Sequence, residues 1–441
     1  MINTIHLAVS HHAMLISALI LFVAYIFIAI DKISKVTVSL IGASLTILLG
    51  LLAQSKGATH LNPHYFINFI DFNVIFLLVS MMIIVHISAK SGMFNWIAIE
   101  LLKFSRGYPI LIMILLALFT AVASAFLDNV TTVILIMPVT FIIAKELVID
   151  PVPMLVTEIM SSNIGGTATL IGDPPNIIIG SRAGFSFMTF VNELAGIVSV
   201  IFVVSIAMLA FFYRKKLYAT RYQREQIGNL DNSQTIKNKN LMIRSIIVLA
   251  LVILGFVTHD ITHIETYLIA MLGASFLLLF DSPEEILPKI EWNTIFFFIG
   301  LFTIIGGLEA SGAIKLLANY VLEITRGNES ATAMIILWAS GILSGIIDNI
   351  PYTATMAPLI QQIQMVEGAN YAHPLWWCLS LGACLGGNMT IIGAAANVIV
   401  AETALAEGYK LSFMKFLKYG IIITVTSLTI SSIYIYFRFL T

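Results

Sequence analysis

Charge is scarce in this sequence: 11% of its 441 residues are Asp, Glu, Lys or Arg, while 59% are hydrophobic and the mean hydropathy is +0.96. A water-soluble fold of this size cannot bury so much apolar surface, which excludes the globular soluble classes. Cysteine is nearly absent as well. The two present, Cys378 and Cys384, share one apolar segment without metal-type spacing, so they read as small packing residues. The first twelve residues, MINTIHLAVSHH, hold no Lys or Arg and so lack the basic region of a cleavable signal peptide. No ATP-binding P-loop occurs, and LIGD at Leu170–Asp173 is not the GxGD of intramembrane aspartyl proteases. No enzyme is therefore expected. A net charge of −1 offers nothing for nucleic acid.

What is there in quantity is uncharged sequence. The stretches from Ala13 to Ile30, Val36 to Ala53 and Leu194 to Tyr213 each approach the ~20 residues that cross a bilayer core as helix, and similar segments continue along the chain. The expected class is an all-α polytopic membrane protein with about 11 transmembrane helices. If the N-terminus lies outside, eighteen of the 23 Lys and Arg residues fall inside, eight of them between Arg214 and Arg244. Only Lys56, Arg182, Lys315, Arg326 and Arg438 remain outside, the asymmetry that the positive-inside rule describes. The expected location is the cell inner (plasma) membrane, with the 214–243 loop inside.

The two halves of the chain repeat one another. DFNVIF from Asp71 matches EWNTIF from Glu291 at an offset of 220. The same offset carries Ser91-Gly92 onto Ser311-Gly312, Arg106-Gly107 onto Arg326-Gly327, Asp128-Asn129 onto Asp348-Asn349 and Pro138 onto Pro358. One inserted residue later, GGTATLIGDPPN from Gly165 falls on GGNMTIIGAAAN from Gly386, and SFMTF from Ser186 recurs as SFMKF from Ser412. The charge pattern sets the second copy upside down. Two inverted-topology repeats are therefore expected, 1–213 and 244–441, joined by a cytoplasmic linker at 214–243, an architecture that places substrate near the bilayer midplane between the repeats.

Each repeat carries two segments that do not read as plain crossings. The first is an apolar hairpin with basic residues at its base in the first repeat, 109–146, matched by 332–364 in the second; re-entrant hairpins from opposite faces would bring Asp128 and Asp348 together. The second is a glycine-interrupted helix, 153–180 and 375–404, whose breaks at Gly165-Gly166 and Gly386-Gly387 free backbone groups that only protein or a water-filled cavity can satisfy. Half-helix N-termini and unwound carbonyls then form an ion site without a cofactor, Na+ or H+ serving as coupling ion.

The candidate ion-binding residues are Asp128, Asn129, Thr131, Thr132, Asn163, Gly165, Gly166, Thr167, Thr169, Asp173 and Asn176 in the first repeat. In the second they are Asp348, Asn349, Thr353, Gly386, Gly387, Asn388, Thr390 and Asn397. Asp128 and Asp348, with backbone carbonyls, are the expected Na+ ligands, because a carboxylate inside the membrane is costly and recurs here at both hairpin tips; as N-caps of the second hairpin arms they would need no ion. Asp173 before Pro174-Pro175 reads equally as a cap or a functional group. Glu158 reads as an interface position or a coupling residue, and His86 as a packing residue. Asp71 and Glu291 read as helix starts favoured by the dipole. The segments expected at the midplane hold no Lys or Arg, a composition that favours cations.

SSNIGGTATLIGDPPNIIIGS, with DFNVIFLLVSMMIIV, SAFLDNVTTVILIMP and GNMTIIGAAANVIV, resembles the signature of the ArsB/NhaD/P-protein permeases of the ion transporter superfamily, from about residue 15 to the C-terminus. The resemblance implies a homodimer in which each protomer pairs a scaffold with a transport domain that moves like an elevator. The implied activity is ion-coupled secondary transport of a small inorganic or organic ion across the lipid bilayer, as Na+/H+ exchange or cation-coupled anion transport. Dicarboxylate relatives carry Ser-Asn-Thr at the hairpin tips; Asp128-Asn129-Val130-Thr131 and Asp348-Asn349-Ile350-Pro351 depart from that pattern and point away from citrate-like transport. An arsenite or metalloid efflux permease, which would use a separate ATPase subunit, is the alternative. An anion channel, of another class, is disfavoured because the repeats pair into one site rather than ring a pore.

Overall fold

In a computed structural model that describes residues 2–30, 32–56, 63–228 and 235–441, the described chain is helical, without a strand. The expected linker at 214–243 lies partly outside the described residues. In the first half run α1 (Ile2–Ile30), α2 (Lys35–Leu48), α3 (Phe72–Lys90), α4 (Met93–Phe104), α5 (Pro109–Ser124), α6 (Asn129–Leu147), α7 (Val152–Gly166), α8 (Pro174–Ala183) and α9 (Phe187–Tyr213). A short α10 (Arg221–Gly228) precedes α11 (Lys239–Val257), α12 (Thr266–Leu278), α13 (Trp292–Ser311), α14 (Ala313–Thr325), α15 (Glu329–Ile347), α16 (Asn349–Glu367), α17 (Ala369–Gly386), α18 (Ala395–Ala406) and α19 (Phe413–Phe439).

Among the described residues eight helices are long and apolar enough to cross a bilayer, or nine if Thr266–Leu278 and Pro283–Lys289, bent by 114°, make one span. The expected count of about 11 is not reached by that measure, because α2, α5 and α18 are apolar but too short.

Local sequence sets the helix ends, and it does so twice. Gly92 and Gly312 end α3 and α13 at φ +87° and +82°, conformations that cost glycine little. Arg106-Gly107 and Arg326-Gly327, both pairs at positive φ, end α4 and α14. Asp71 caps α3 by accepting from the amides of Asn73 and Val74, and Asn328 caps α15 from Ala331.

The strongest helix pairings fall into two sets. In one, α2 lies along α13, α3 along α12, and α1 and α11 beside them. In the other, α5 and α6 pack on α7, α15 and α16 on α17, and α9 on α7 and α19. Ring contacts define two ends. The linker end holds Arg224 over Tyr108 at 4.4 Å and Tyr213 against Tyr419 at 5.1 Å. The far end holds Arg438 on Glu193 at 3.2 Å and His373 against Phe439 at 5.5 Å. The α5–α6 hairpin thus has its base at the linker end, and the α15–α16 hairpin, followed directly by α17, has its base at the far end.

Candidate functional site

The site grows from the two helix breaks. Between α7 and α8 the chain leaves the helix at Thr167 and resumes at Pro174; between α17 and α18 it does so from Gly387 to Ala394. Each break is closed by an asparagine on the following half-helix. The Asn176 amide donates to the carbonyls of Gly166, Thr167 and Thr169 at 3.4, 3.1 and 2.8 Å, and that of Asn397 to Gly387 and Thr390 at 2.7 and 2.9 Å. The freed carbonyls are thereby satisfied inside an apolar body.

Each hairpin is tied to its break by the same pair of bonds. Ser124 donates to the Ser162 carbonyl at 2.8 Å and Ser344 to that of Ala383 at 2.7 Å. Thr169 donates to the Ala125 carbonyl, and Thr390 to that of Gly345 at 2.6 Å. The backbones approach so closely that a Cβ at Gly165 would stand 2.2 Å from the Ala121 carbonyl oxygen, and one at Gly386 would stand 2.4 Å from that of Gly341.

The two hairpin tips meet at Asp173, which is 0% exposed. Asn129 donates to Asp173 Oδ1 at 3.3 Å, and Asn349, its equivalent, donates to Oδ2 at 3.1 Å. Asp173 makes no side-chain cap on α8, so it is not spent on the helix end. Behind it Asn163 accepts from Asn129 at 3.2 Å and donates to Asn388 and Asn397 at 3.0 Å each. Ser380 and Cys384 donate to Asn176 Oδ1, at 2.6 and 3.6 Å. The N-terminal ends of α6, α8, α16 and α18 converge here, each with the partial positive charge of its free amides.

The tip aspartates are engaged otherwise. Asp128 accepts from the Thr131 amide at 2.9 Å and hydroxyl at 2.5 Å, capping α6, while Thr132 bonds back to the Asp128 carbonyl at 2.9 Å. Asp348 accepts from the Ile350 amide at 3.1 Å, at the strained φ of +107°, and its other oxygen takes the ammonium of Lys35 at 2.6 Å. The expectation of a centre without Lys or Arg is corrected here: α2 is only 14 residues long, and its first residue, Lys35, reaches the second tip. Thr167 bonds back to the Asn163 carbonyl at 2.8 Å, and the buried Thr353 hydroxyl has no hydrogen-bond partner among the described residues. Among the described residues no three His, Cys, Asp or Glu side chains gather as a metal cage.

Residues outside the candidate set complete the geometry. Glu291 and Thr294 of α13 share with Asp128, Asn129 and Asn349 a cavity of about 30 Å³, and a water needs roughly 10–15 Å³. Tyr25 of α1 donates to the Pro351 carbonyl at 2.5 Å and contacts Thr355. At the other end of α8, Ser181 donates to Asp71 at 2.5 Å and Arg182 pairs with Glu309 at 3.1 Å, beside an open cleft of about 450 Å³. Glu158 is buried with Thr140 as its hydrogen-bond donor, within the body formed by α6 and α7. In sequence Lys35 reads as a helix flank, Glu291 as a helix start and Tyr25 as part of an apolar run; no local signal marks what they face.

α13 thus fixes the level of the site. Its first turn, next to Glu291, stands beside the Asp128 tip, and its last turn, at Glu309, holds Arg182. Asp173 lies one length of α8, about 15 Å, from Arg182.

Comparison with known proteins places the chain among transporters. A family model described as citrate transporter matches residues 25–382. An uncharacterized transporter of Mycobacterium tuberculosis is 41% identical over 431 residues, covering 97% of this chain and 99% of its own length. The P protein of Mus musculus is 32% identical over 494 residues, covering 93% of this chain and 58% of that longer protein. Among solved structures, the YdaH transporter of Alcanivorax borkumensis superposes with a TM-score of 0.59 at 12% identity, over 91% of this chain and 98% of its own, a likeness of fold.

Proposed function

The chain belongs to the citrate transporter family, and from that premise we propose that it is a secondary active transporter that moves a small ion with Na+ or H+ coupling, its transport body travelling like an elevator against the scaffold. The observation that carries this reading is Asp173: a fully buried carboxylate reached by equivalent asparagines from both hairpins. Burying an uncompensated carboxylate is strongly unfavourable. A proton or a small cation removes that cost, and binding of either is then coupled to closure of the two tips.

Two concrete forms fit. In Na+/H+ exchange the ion and the proton compete for Asp173. In cation-coupled anion transport the cation neutralises Asp173 while the anion is held by the converging N-termini of α6, α8, α16 and α18, which favour negative charge. In the elevator reading α1–α3 and α11–α13 form the scaffold, and the transport body meets it where α8 ends at Asp71 and Glu309 and where the second tip takes Lys35 of α2. A homodimer formed through the scaffold belongs to the same reading.

The test is flux in proteoliposomes under imposed sodium and pH gradients, with sodium, lithium, arsenite and carboxylates as candidate cargo. Sodium- or proton-dependent flux that Asp173→Asn abolishes supports the reading. Flux independent of both cations, or unchanged by that substitution, overturns it.

A further inference from the structure

The two hairpin tips carry equivalent aspartates in unequal circumstances. Asp128 keeps both oxygens on its own first turn, at Thr131. Asp348 is 2% exposed, sits at φ +107°, and gives one oxygen to Lys35, which is 21% exposed and belongs to the scaffold. A buried ion pair whose partners ride on different bodies cannot survive their relative motion. A shift of one helical turn, about 5.4 Å, already exceeds hydrogen-bond reach, and what remains is a buried carboxylate that has lost its cation.

We propose that Lys35 is a tethered counter-ion that fills Asp348 when the transport body stands at the linker end and yields that carboxylate to a small cation or a proton when the body moves away. The proposal rests on the elevator reading. On the return stroke the ammonium reoccupies Asp348 and displaces the bound cation, so that release is built into arrival. The inverted repeat adds to the demand for a cation. Glu291 shares a cavity with Asp128 in this conformation, and the same offset relates Glu291 to Asp71 and Asp128 to Asp348. In the opposite conformation Asp71, now bonded to Ser181, would stand towards Asp348 as Glu291 does towards Asp128, and a second negative charge would approach the tip just as Lys35 leaves it. Among the described residues, the ionisable groups in electrostatic reach of this cluster include, besides Lys35, Tyr25 of α1, Tyr352 of α16, and Asp173 of the break with Asp128 beyond it.

The test compares wild type, Lys35→Met, Lys35→Arg and the double variant Lys35→Met/Asp348→Asn as full-length purified protein. Equilibrium binding of radioactive sodium and the midpoint of flux against pH at the linker face are both measured. One adjacent cation shifts the charge equilibrium of a carboxylate by roughly tenfold or more. Lys35→Met should therefore bind sodium, or retain a proton, about tenfold more tightly and turn over more slowly. Lys35→Arg should behave as wild type, and the double variant should lose the gain. A lysine that only stabilises the fold would lower the melting temperature without moving either midpoint. Sodium and proton midpoints in Lys35→Met within twofold of wild type overturn the proposal. If Lys35→Met does not fold, Lys35→Gln, which keeps a hydrogen bond to Asp348, is read by the same criteria. Failure of the elevator reading shows separately, as transport that continues when a cross-link ties Ser181 to Asp71.

Discussion

Asn129 and Asn349, equivalent residues of the two repeats, donate their amides to the two oxygens of one carboxylate, Asp173, at 3.3 and 3.1 Å. A two-fold related pair thus ends on a group that has no two-fold equivalent, since the position matching Asp173 is Ala394. The site is built symmetrically and charged asymmetrically.

Asp173→Asn should therefore separate chemistry from folding. The carboxylate caps nothing, and the amide can still accept from one of the two asparagines. Without the negative charge, cation or proton binding loses an attraction that shifts it by roughly tenfold or more, so cation-dependent flux should fall at least about tenfold while the melting temperature stays close to wild type. Asp128→Asn keeps an acceptor for the Thr131 amide and should retain the larger share of cation dependence. Parallel flux and melting measurements on the two variants decide whether the function sits at the break or at the tip.

Close approach of backbones predicts a graded glycine series. An alanine Cβ at Gly165 or Gly386 would meet a carbonyl oxygen at 2.2 or 2.4 Å, whereas at Gly387 its nearest neighbour would be 3.2 Å away and at Gly196 nothing lies within 4 Å. Gly165→Ala and Gly386→Ala should lose about 1–3 kcal/mol, as overpacked sites do, and with it transport. Gly387→Ala should lose less. Gly196→Ala, inside α9, should be neutral or slightly stabilising. Thermal melts in one detergent rank the four.

Glu158 and Thr140 form a buried pair that a double-mutant cycle can resolve. Thr140→Val leaves the carboxyl without its donor and should cost about 1–3 kcal/mol. Glu158→Gln should be mild because the amide still accepts from the hydroxyl. Glu158→Leu with Thr140→Val removes both polar partners and should recover stability relative to Thr140→Val alone. A double variant no more stable than the single one would mean that Glu158 has a partner other than Thr140.

Ser181 of α8 and Asp71 at the start of α3 meet at the far end, where the hydroxyl and carboxylate lie 2.5 Å apart. In a background lacking Cys378 and Cys384, Ser181→Cys/Asp71→Cys should form a disulfide on oxidation, arrest flux, and regain it on reduction. Continued flux in the oxidised protein would exclude relative motion at this boundary.

The class and the repeat were legible because they depend on local properties. Hydropathy alone marks membrane helices, and the breaks announce themselves through Gly165-Gly166 and Gly386-Gly387. The paired serines, Ser124 and Ser344, and the paired asparagines, Asn176 and Asn397, follow the repeat offset, so their shared bonding pattern was implicit in the alignment of the halves. Thr131 was legible as a tip residue, yet its partner is the Asp128 beside it.

Three assignments needed the fold. Asp128 and Asp348 read as a matched pair of ion ligands from their sequence positions, but their partners, Thr131 in one case and Lys35 in the other, are set by which elements pack against each tip. Asp173 reads equally as a cap until the structure shows both its oxygens turned to the hairpins. Lys35 lies 313 residues from Asp348, and nothing in its neighbourhood distinguishes it from any basic residue flanking a helix. Sequence by itself determined the solvent, the helices, the repeat and the residue types available to an ion, because hydropathy, glycine and asparagine act within a few residues. Which carboxylate is kept off both helix caps and ion pairs was decided only by tertiary structure, because charge pairing depends on distances of a few ångströms between segments that the chain holds hundreds of residues apart.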